Sequence, residues 1–271
     1  MSNYYNEYEP HAAAWLRNLI SAGLLPKGDV DERSITDVTT SDLAGYTQCH
    51  FFAGIGGWSV ALQIAGVPDD YPIWTGSCPC QPFSAAPGER KGTADKRHLW
   101  PVWSGLIREC RPAICFGEQV EAAIRYGWLD IVSADLEDQG YAVGAAILGA
   151  CSVGAPNKRQ RLYWVADSQR VPAQLLREPG RMVSETGTAE KGRQADVRDQ
   201  LGNSGEVHFW DSPEWLACRD GRQRPCEPGV SPLANGIPNR VDKLRAYGNS
   251  ICPPLASKFI QAVLEAKEEI Q

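Results

Sequence analysis

Apolar positions near the start of the chain recur at the spacing of an amphipathic helix. Residues 10–23 read PHAAAWLRNLISAG, with proline at the beginning and glycine at the end, as helix boundaries favour. The apolar positions of this stretch are Ala12, Trp15, Leu16, Leu19 and Ile20. The pattern predicts one helix with an apolar face, followed by a short strand or loop with acidic flanks in GDVDERSITDV.

An alternation of predicted strands and helices follows. Residues 49–66, CHFFAGIGGWSVALQIAG, pass from an apolar strand through glycines into a helical pattern. The later predicted elements are a strand in YPIWTGS (71–77), a helix in LWPVWSGLIRECR (99–111) and strands in PAICFGEQV (112–120), YAVGAAILGAC (141–151) and RLYWVADS (161–168). This alternation predicts an α/β fold, doubly wound around a mainly parallel sheet.

The pattern breaks after Ser168. Residues 169–240 are rich in Gly, Pro, Arg and Gln and show little periodicity. Because a structureless stretch of this length is rare inside a compact domain, it is either a separate small module or an insert that a partner orders. Periodicity returns after GNSICPP, in a C-terminal helix with apolar positions at Leu255, Phe259, Val263 and Leu264. We therefore divide the chain into one domain of residues 1–168 plus 241–271, and a second region of residues 169–240.

Composition narrows the classes of protein. The 271 residues suit one large domain, or one domain with a small appendage. No apolar run approaches the ~20 residues of a membrane span, and no secretory leader opens the sequence, so we expect a cytoplasmic protein with no membrane partner. Nine cysteines at scattered spacings favour free thiols in a reducing compartment. Cys218 and Cys226 lack a second pair of ligands, so no metal site is expected.

The formal net charge of −6 argues weakly against nucleic acid as a partner, but the charge is unevenly distributed. Residues 219–245 carry six basic and three acidic side chains. Such a stretch can face phosphates while the rest of the surface is acidic, and it can equally be a solvated loop.

Two turns have the composition of ligand-binding or catalytic loops. In FAGIGG (52–57), glycines at a strand-to-helix turn let the backbone approach a cofactor and leave helix N–H groups open, although a tight turn alone would use the same residues. In GSCPCQPFSAAPG (76–88), Cys80 lies between Pro79 and Gln81. A nucleophilic thiol must be held rigidly, whereas an ordinary cysteine is a small buried apolar residue.

Three charged residues lie at the ends of predicted strands. Glu118 ends the strand AICFGEQV, and the carboxyl ends of strands are where α/β sheets bind ligands. Arg159 and Arg161 are one residue apart in NKRQRLYWVAD, so their side chains share one side of the chain and suit a carboxylate, a phosphate or a base edge. A structural salt bridge for the acid and a surface ion pair for the arginines are the alternatives.

Taken in order, FAGIGG, PCQPFS, GEQV, NKRQRLYWVA and GNSICPP resemble the motif set of the DNA cytosine carbon-5 methyltransferases of bacteria and phages. The resemblance covers roughly residues 1–168 and 241–271. It implies the fold of the S-adenosylmethionine-dependent methyltransferases, S-adenosylmethionine as cofactor, duplex DNA as substrate and a monomeric enzyme, often part of a restriction-modification system. Residues 169–240 would then be a small target-recognition module beside the catalytic domain.

The resemblance assigns the catalytic residues. Cys80 is implied as the nucleophile and Cys78 as a bystander. Glu118, in a Glu-Gln-Val that replaces the family's Glu-Asn-Val, is implied as the acid that stabilises the adduct. Arg161 is implied at the carbonyl oxygen O2 of the base, with Arg159 supporting the loop or the acid.

The cofactor residues implied by the resemblance come in an unusual order. The glycine turn contributes Phe52, Ala53, Gly54, Gly56 and Gly57, and Pro79, Asn249 and Ser250 belong to the same site. Only 23 residues separate Gly57 from Cys80, too few for the family's acidic and Gly-Asp motifs. Both motifs have counterparts before FAGIGG: Glu7 for the ribose hydroxyls, Tyr8 for the adenine ring, and Asp29 with Val30 for the adenine amino group. We therefore predict a circular permutation in which the second and third strands of the sheet precede the first.

DNA contacts are implied for two regions. The stretch 82–98, small and basic, suits closure over a base flipped out of the duplex, and Gln81, Ser84 and Arg97 are its candidate contacts. Arg222 and Arg224 are candidates in the recognition region.

Three alternatives are open at this point. A related enzyme class with the same motifs methylates tRNA cytosine. A non-catalytic DNA-binding protein could keep the same fold. A thiol hydrolase would need a partner histidine, for which His98 and His208 are available without a supporting context.

Overall fold

The computed structural model of the chain describes residues 2–79, 99–155, 157–169, 214–217, 223–226 and 248–268. The helices are α1 (Pro10–Ser21), α2 (Gly57–Ile64), α3 (Trp100–Cys110), α4 (Trp128–Asp138) and α5 (Pro253–Glu268). The strands are β1 (Ser2–Asn6), β2 (Gly28–Asp31), β3 (Tyr46–Phe51), β4 (Ile73–Gly76), β5 (Ile114–Val120), β6 (Ala142–Gly149), β7 (Gln160–Asp167), β8 (Glu214–Ala217) and β9 (Gln223–Cys226). Short 3₁₀ turns occupy Ile35–Asp37, Glu121–Tyr126 and Ala150–Val153.

Seven strands form one sheet in the order β2-β1-β3-β4-β5-β7-β6. The first five run parallel, and β7 is antiparallel to both β5 and β6. β8 and β9 pair antiparallel in a separate two-stranded sheet. The predicted α/β fold with a mainly parallel sheet is confirmed. Most of residues 169–240 lie outside the described residues, so the division into two domains stays a prediction.

The chain order of the central strands is unusual for a doubly wound sheet. In the classic order 3-2-1-4-5, the chain begins at a central strand, runs to one edge and then crosses to the other half. Here the same spatial positions are held by β2-β1-β3-β4-β5. The strand that carries the glycine turn, β3, is therefore third in the chain. This is the arrangement that the permutation hypothesis requires; the permutation itself is a statement about ancestry and stays a prediction.

Helices cover both faces of the sheet. On one face, α3 and α4 pack on a core that contains four buried tryptophans, Trp100, Trp103, Trp128 and Trp164. On the other face, α2 and α5 pack over Phe116 and Tyr163, and α1 packs over Tyr5. Buried faces on both sides explain why the central strands read as continuous apolar runs. The predicted helices at 10–23, 99–111 and the C-terminus are confirmed, but Trp15 of α1 is 42% exposed because Ala12, Ala13 and Leu16 take the buried positions. Within the described part of the chain, no helix is both long and apolar enough to span a bilayer.

Two glycines in central strands are required by tryptophan side chains that pack against them. A Cβ on Gly117 of β5 would lie 2.1 Å from Cε2 of Trp164, and a Cβ on Gly76 of β4 would lie 2.5 Å from Cη2 of Trp103. Both indoles are fully buried and cannot move aside without disturbing the core. These glycines set the positions of the residues that follow them, Ser77 and Glu118.

We expect Gly117→Ala to lower the free energy of unfolding by about 3 kcal/mol, because the added methyl group overpacks a closed core. Urea denaturation monitored by circular dichroism measures the change. Gly105→Ala in α3 is the matched control: a Cβ there meets nothing within 4 Å, so alanine is expected to stabilise the helix by about 0.5–1 kcal/mol. Equal stability of the two variants would contradict this account of Gly117.

Candidate active site

The glycine turn after β3 leaves backbone donors open at the carboxyl edge of the sheet. Phe52, Gly54 and Gly56 have φ angles of 52°, 57° and 87°, so the chain turns sharply from β3 into α2. The N-cap residue Gly56 offers no side-chain hydrogen bond to the first turn of α2. Unsatisfied N–H groups at a helix start, in a turn that lets a ligand approach the backbone closely, form a site for an electron-rich group.

Glu7 meets this turn from the end of β1. One carboxylate oxygen of Glu7 accepts a hydrogen bond from the Gly54 amide at 2.6 Å, and the other accepts one from the Glu9 amide at 2.8 Å. Burial raises the pKa of Glu7, and the two amide hydrogen bonds oppose that shift. Next to it, Tyr8 is 73% exposed. The structure thus joins the predicted acidic motif to the glycine turn across 47 positions of sequence.

Asp29 lies apart from this pair. Its carboxylate accepts a hydrogen bond from the Tyr46 hydroxyl at 2.7 Å, and this bond raises the pKa of Tyr46 to about 12. Tyr46 begins β3, whereas Gly54 follows its end, so Asp29 and Glu7 contact opposite ends of that strand. Asp31, at the carboxyl end of β2, is bound by Tyr4 and Arg33. Val30 packs against the apolar cluster that contains Tyr5 and Leu16, under α1.

The strand end that leads to Cys80 is anchored on both sides. Trp58 of α2 donates a hydrogen bond from its indole N–H to the Ser77 hydroxyl at 3.0 Å. Gln119 of β5 donates from its side-chain amide to the Cys78 carbonyl at 3.0 Å, and Cys78 itself is buried. Pro79 is the last described residue of this segment. The sequence patterns gave no signal for Trp58 or Ser77. Gln119 was visible only as the Gln that replaces Asn in the Glu-Asn-Val motif, with no role attached to it.

Glu118 is a buried acid in an ion pair. Nε of Arg161 lies 3.1 Å from Oε1 of Glu118, and the Glu118 side chain is 9% exposed. Burial raises the pKa of Glu118, while Arg161, Arg159 and a hydrogen bond with Ser77 act in the opposite direction. Because burial and these three neighbours shift the pKa of Glu118 in opposite directions, the carboxyl group can hold a proton or release it to a bound ligand. The structure brings these predicted catalytic residues together.

Arg159 connects this edge to the C-terminal segment. Its guanidinium donates to the Gly248 carbonyl at 2.9 Å and to the Ser250 carbonyl. A Cβ on Gly57 would lie 3.1 Å from the Ser250 hydroxyl oxygen, so the same segment packs on the start of α2. Asn249, between these contacts, is exposed. The GNS motif therefore lies beside the glycine turn.

Several predicted site residues cannot be placed. Cys80, Gln81, Ser84, Arg97 and Arg222 lie outside the described residues, and of Arg224 only its position in β9 is described. Their roles stay predictions. No cluster of three or more His, Cys, Asp or Glu side chains that could bind a metal occurs in the described ranges.

A mainly parallel sheet with a glycine turn, a buried acid and paired arginines at one edge is typical of doubly wound α/β enzymes, which bind ligands at the carboxyl ends of their strands. The family model for C-5 cytosine-specific DNA methylases matches residues 61–211. The chain belongs to this family.

Curated relatives include Type II methyltransferases. M.AplI of Arthrospira platensis is 36% identical over 109 residues, which are 40% of this chain and 30% of that protein. M.HhaI of Haemophilus parahaemolyticus is 25% identical over 168 residues, which are 48% of this chain and 51% of that protein. M.HindV of Haemophilus influenzae is 25% identical over 235 residues, which are 79% of this chain and 72% of that protein. The chain thus spans about a third of the length of M.AplI and about half of the length of M.HhaI.

Among solved structures, DNMT2 proteins match part of this chain at low TM-scores. A Spodoptera frugiperda DNMT2 variant has a TM-score of 0.42 at 16% identity, covering 69% of this chain and 57% of the other. The S. pombe Dnmt2 methyltransferase has a TM-score of 0.40 at 17% identity, covering 63% and 52%.

Proposed function

We propose that this chain transfers a methyl group from S-adenosylmethionine to carbon 5 of cytosine in duplex DNA, through a covalent adduct of Cys80 with a flipped-out base. Membership of the cytosine-specific DNA methylase family supports the reaction class. The observation that carries the proposal is the buried Glu118–Arg161 pair at the carboxyl end of β5. Gln119, the next residue, donates to the Cys78 carbonyl, two residues before Cys80, and this contact supports a nucleophile at the same edge as the acid.

The residues after β1 and β3 fit S-adenosylmethionine. The partly buried Glu7 carboxylate can accept hydrogen bonds from ribose hydroxyls, because each of its oxygens keeps a second lone pair. A Cβ at Gly54 meets nothing within 4 Å, which leaves space for a ligand against the turn. Exposed Tyr8 can flank an adenine ring. When bound, this cofactor supplies an electrophilic methyl group on a positively charged sulfur.

The chain's own residues would activate the base. Carbon 5 of cytosine is a weak nucleophile until the Cys80 thiolate bonds to carbon 6 and the electron pair of the double bond moves to carbon 5. Glu118 would give its proton to N3 as that charge develops. Arg161 would face O2, and Arg159 would hold the edge in place. After methylation the carbon-5 proton passes to solvent, the double bond re-forms, N3 returns its proton and the thiolate leaves.

The contacts to the DNA around the flipped base would come from residues whose side chains the structure does not describe. A base stacked in a duplex cannot reach a cleft thiol, so the cytosine must rotate out of the helix. Gln81, Ser84 and Arg97 would contact the flipped base and its backbone. Arg222 and Arg224 would contribute from the recognition region, residues 169–240. The protein would act as a monomer.

The deciding experiment compares acceptors. Purified chain is incubated with S-adenosylmethionine labelled in the methyl group and either unmethylated duplex DNA or unmodified tRNA, and the labelled base is identified by mass spectrometry. The proposal predicts 5-methylcytosine in DNA. Label only in tRNA would move the assignment to the tRNA-modifying class. Label on an exocyclic amine, or cofactor binding without transfer to either acceptor, would refute the proposed reaction.

Cofactor binding is expected to depend on the ionisation of Glu7. Because a carboxylate accepts ribose hydrogen bonds better than a carboxylic acid does, affinity should fall as the pH drops through the raised pKa of Glu7. Glu7→Gln should bind S-adenosylmethionine about 10- to 100-fold more weakly at pH 8 and lose most of this pH dependence. Titration calorimetry from pH 5 to 8 measures both.

Glu9→Gln is the matched control for Glu7→Gln. Glu9 caps α1 by accepting from the Ala12 amide, and glutamine keeps a side-chain oxygen that can accept the same bond. This variant should keep the affinity at pH 8 and keep a pH dependence. Because the Glu9 charge raises the pKa of Glu7, the midpoint should move to lower pH. The same pH dependence in the Glu7 variant as in the wild type would exclude Glu7 as the ribose ligand.

A further inference from the structure

Hydrogen bonds connect the first turn of α2 with Glu118. The Trp58 indole N–H donates to the Ser77 hydroxyl at 3.0 Å. The register of β4 and β5 pairs Gly76 with Gly117, so Ser77 comes directly beside Glu118, and its hydroxyl acts on that carboxyl group as a hydrogen-bonding neighbour. Trp58 is 3% exposed and Glu118 8% exposed, so the line runs through the interior between α2 and the ends of β4 and β5. Trp58 is the second residue of α2, directly after Gly57 of the glycine turn.

The chemistry of the three groups fixes the direction of these bonds. An indole N–H can only donate, so the Ser77 oxygen acts as the acceptor toward Trp58. A hydroxyl has one proton, and with its oxygen engaged by Trp58 that proton is available to Glu118. Ser77 therefore donates to the carboxylate. A hydrogen bond donated to the charged form favours that form.

The other charged and titratable groups that face Glu118, among the residues described, come from β7 and the residue before it. Arg161 forms the ion pair at 3.1 Å, and Arg159 contributes a second positive charge. Tyr163 is the cross-strand neighbour of Glu118, and burial together with the negative charge of Glu118 raises its pKa well above the usual range, so it is neutral. Ser77 is thus the neutral donor that complements two cations.

We propose that Ser77, with its direction set by Trp58, is a positioning residue for Glu118 in the methyl transfer reaction. The hydroxyl holds the carboxyl group in one orientation and stabilises the carboxylate that forms when the proton passes from Glu118 to N3 of cytosine. Through Trp58, this orientation is tied to the same helix start that borders the cofactor turn. The role in the reaction rests on the proposed function; the hydrogen-bonded line itself does not.

Two variants interrupt the line at different points. Ser77→Ala removes the donor to Glu118. Trp58→Phe removes only the indole N–H and part of one ring, leaving Ser77 free to rotate. Trp103→Phe is the matched control: Trp103 is equally buried and packs against Gly76, but its indole N–H has no hydrogen-bond partner among the described residues. Ser77→Thr, which keeps a hydroxyl, tests for rescue.

The first readout is independent of catalysis. Full-length chain is labelled with glutamate carrying ¹³C in the carboxyl group, the Glu118 signal is assigned through Glu118→Gln, and its titration is followed by NMR. We expect the midpoint to move upward in Ser77→Ala, to move upward by less in Trp58→Phe, and to stay in place in Trp103→Phe and Ser77→Thr. An unmoved midpoint in Ser77→Ala would overturn the proposal, whether or not the protein methylates DNA.

The second readout is methyl transfer. Ser77→Ala should lower kcat about tenfold with little change in the KM for S-adenosylmethionine, since a misoriented acid affects the chemical step. The alkaline limb of its pH–rate profile should move in the same direction as the NMR midpoint. A fall of equal size in Trp103→Phe, or a fall in Ser77→Ala that appears only in KM, would assign Ser77 to packing. Absence of transfer in the wild type, with a moved midpoint, would instead count against the proposed function.

Discussion

A chain with alanine at position 80 is expected to transfer no methyl label to DNA above background, a loss of about 10⁴-fold or more. The thiolate is needed to turn carbon 5 of cytosine into a nucleophile, and no other group in the proposed mechanism forms that bond. Binding of S-adenosylmethionine should be unchanged, because the Glu7–Gly54 pair does not involve this residue. The measurement is label transfer beside calorimetric cofactor titration on the same preparation.

Cys78→Ala is the matched control for Cys80→Ala. Cys78 is buried two residues earlier, and its part in the anchoring is its backbone carbonyl, which alanine keeps. We expect activity within a few-fold of the wild type. An oligonucleotide with 5-fluorocytosine should trap a covalent complex with the wild type and with Cys78→Ala, but not with Cys80→Ala. Trapping by the Cys80 variant would show that another residue is the nucleophile.

Glu118→Gln is expected to lower the rate of methyl transfer by about 10²- to 10⁴-fold. Glutamine has nearly the same shape, but it cannot give a proton to N3 and it removes the negative partner of Arg161. Burial raises the pKa of Glu118, so the wild type should lose activity on the alkaline side as the protonated form disappears. The variant should lack that limb of the pH–rate profile.

Stability gives an independent measurement on the same residue. Because the pKa of Glu118 is higher in the folded state than in the unfolded state, the folded chain binds more protons between the two values, and stability falls as the pH rises through that window. Glu118→Gln should flatten this dependence in urea titrations from pH 4 to 8. Glu121→Gln, at the start of the 3₁₀ turn after β5, should change neither activity nor the pH dependence of stability. A full alkaline limb in Glu118→Gln would assign the titration to another group.

The sequence patterns predicted the elements better than their contacts. Strand and helix periodicity located α1, α3, α5 and the central strands within a few residues, because each buries a regular face against the sheet. Periodicity carries no information on which strand ends meet. The neighbourhood of Glu7 and Gly54, 47 positions apart, was predicted only through the family resemblance.

The parts of the site that the sequence did not predict depend on side-chain geometry. The Ser77 hydroxyl and the Trp58 indole are common residue types at ordinary positions, and only their 3.0 Å separation makes them partners. Asp29 illustrates the opposite case. The Gly-Asp pattern predicts a place at the cofactor, and that role stays a prediction. In the structure its carboxylate accepts a hydrogen bond from Tyr46, whose position in β3 gives no sequence signal of that contact.

The chain is fixed to the sheet on both sides of residues 170–247. The chain leaves at the amino end of β5, where the Ser168 amide donates to the Ala113 carbonyl, and returns at the opposite edge, where Arg159 binds Gly248 and Ser250. Both attachment points are fixed by partners outside the stretch, and the eight residues of β7 separate them by about 27 Å. Since the entropy of loop closure grows by only about 0.6 kcal/mol per doubling of length, we expect chimeras with a shorter or longer segment between these two points to keep the same edge of the sheet. Under the proposed function, grafting of this segment is expected to change DNA specificity while the chemistry stays in place.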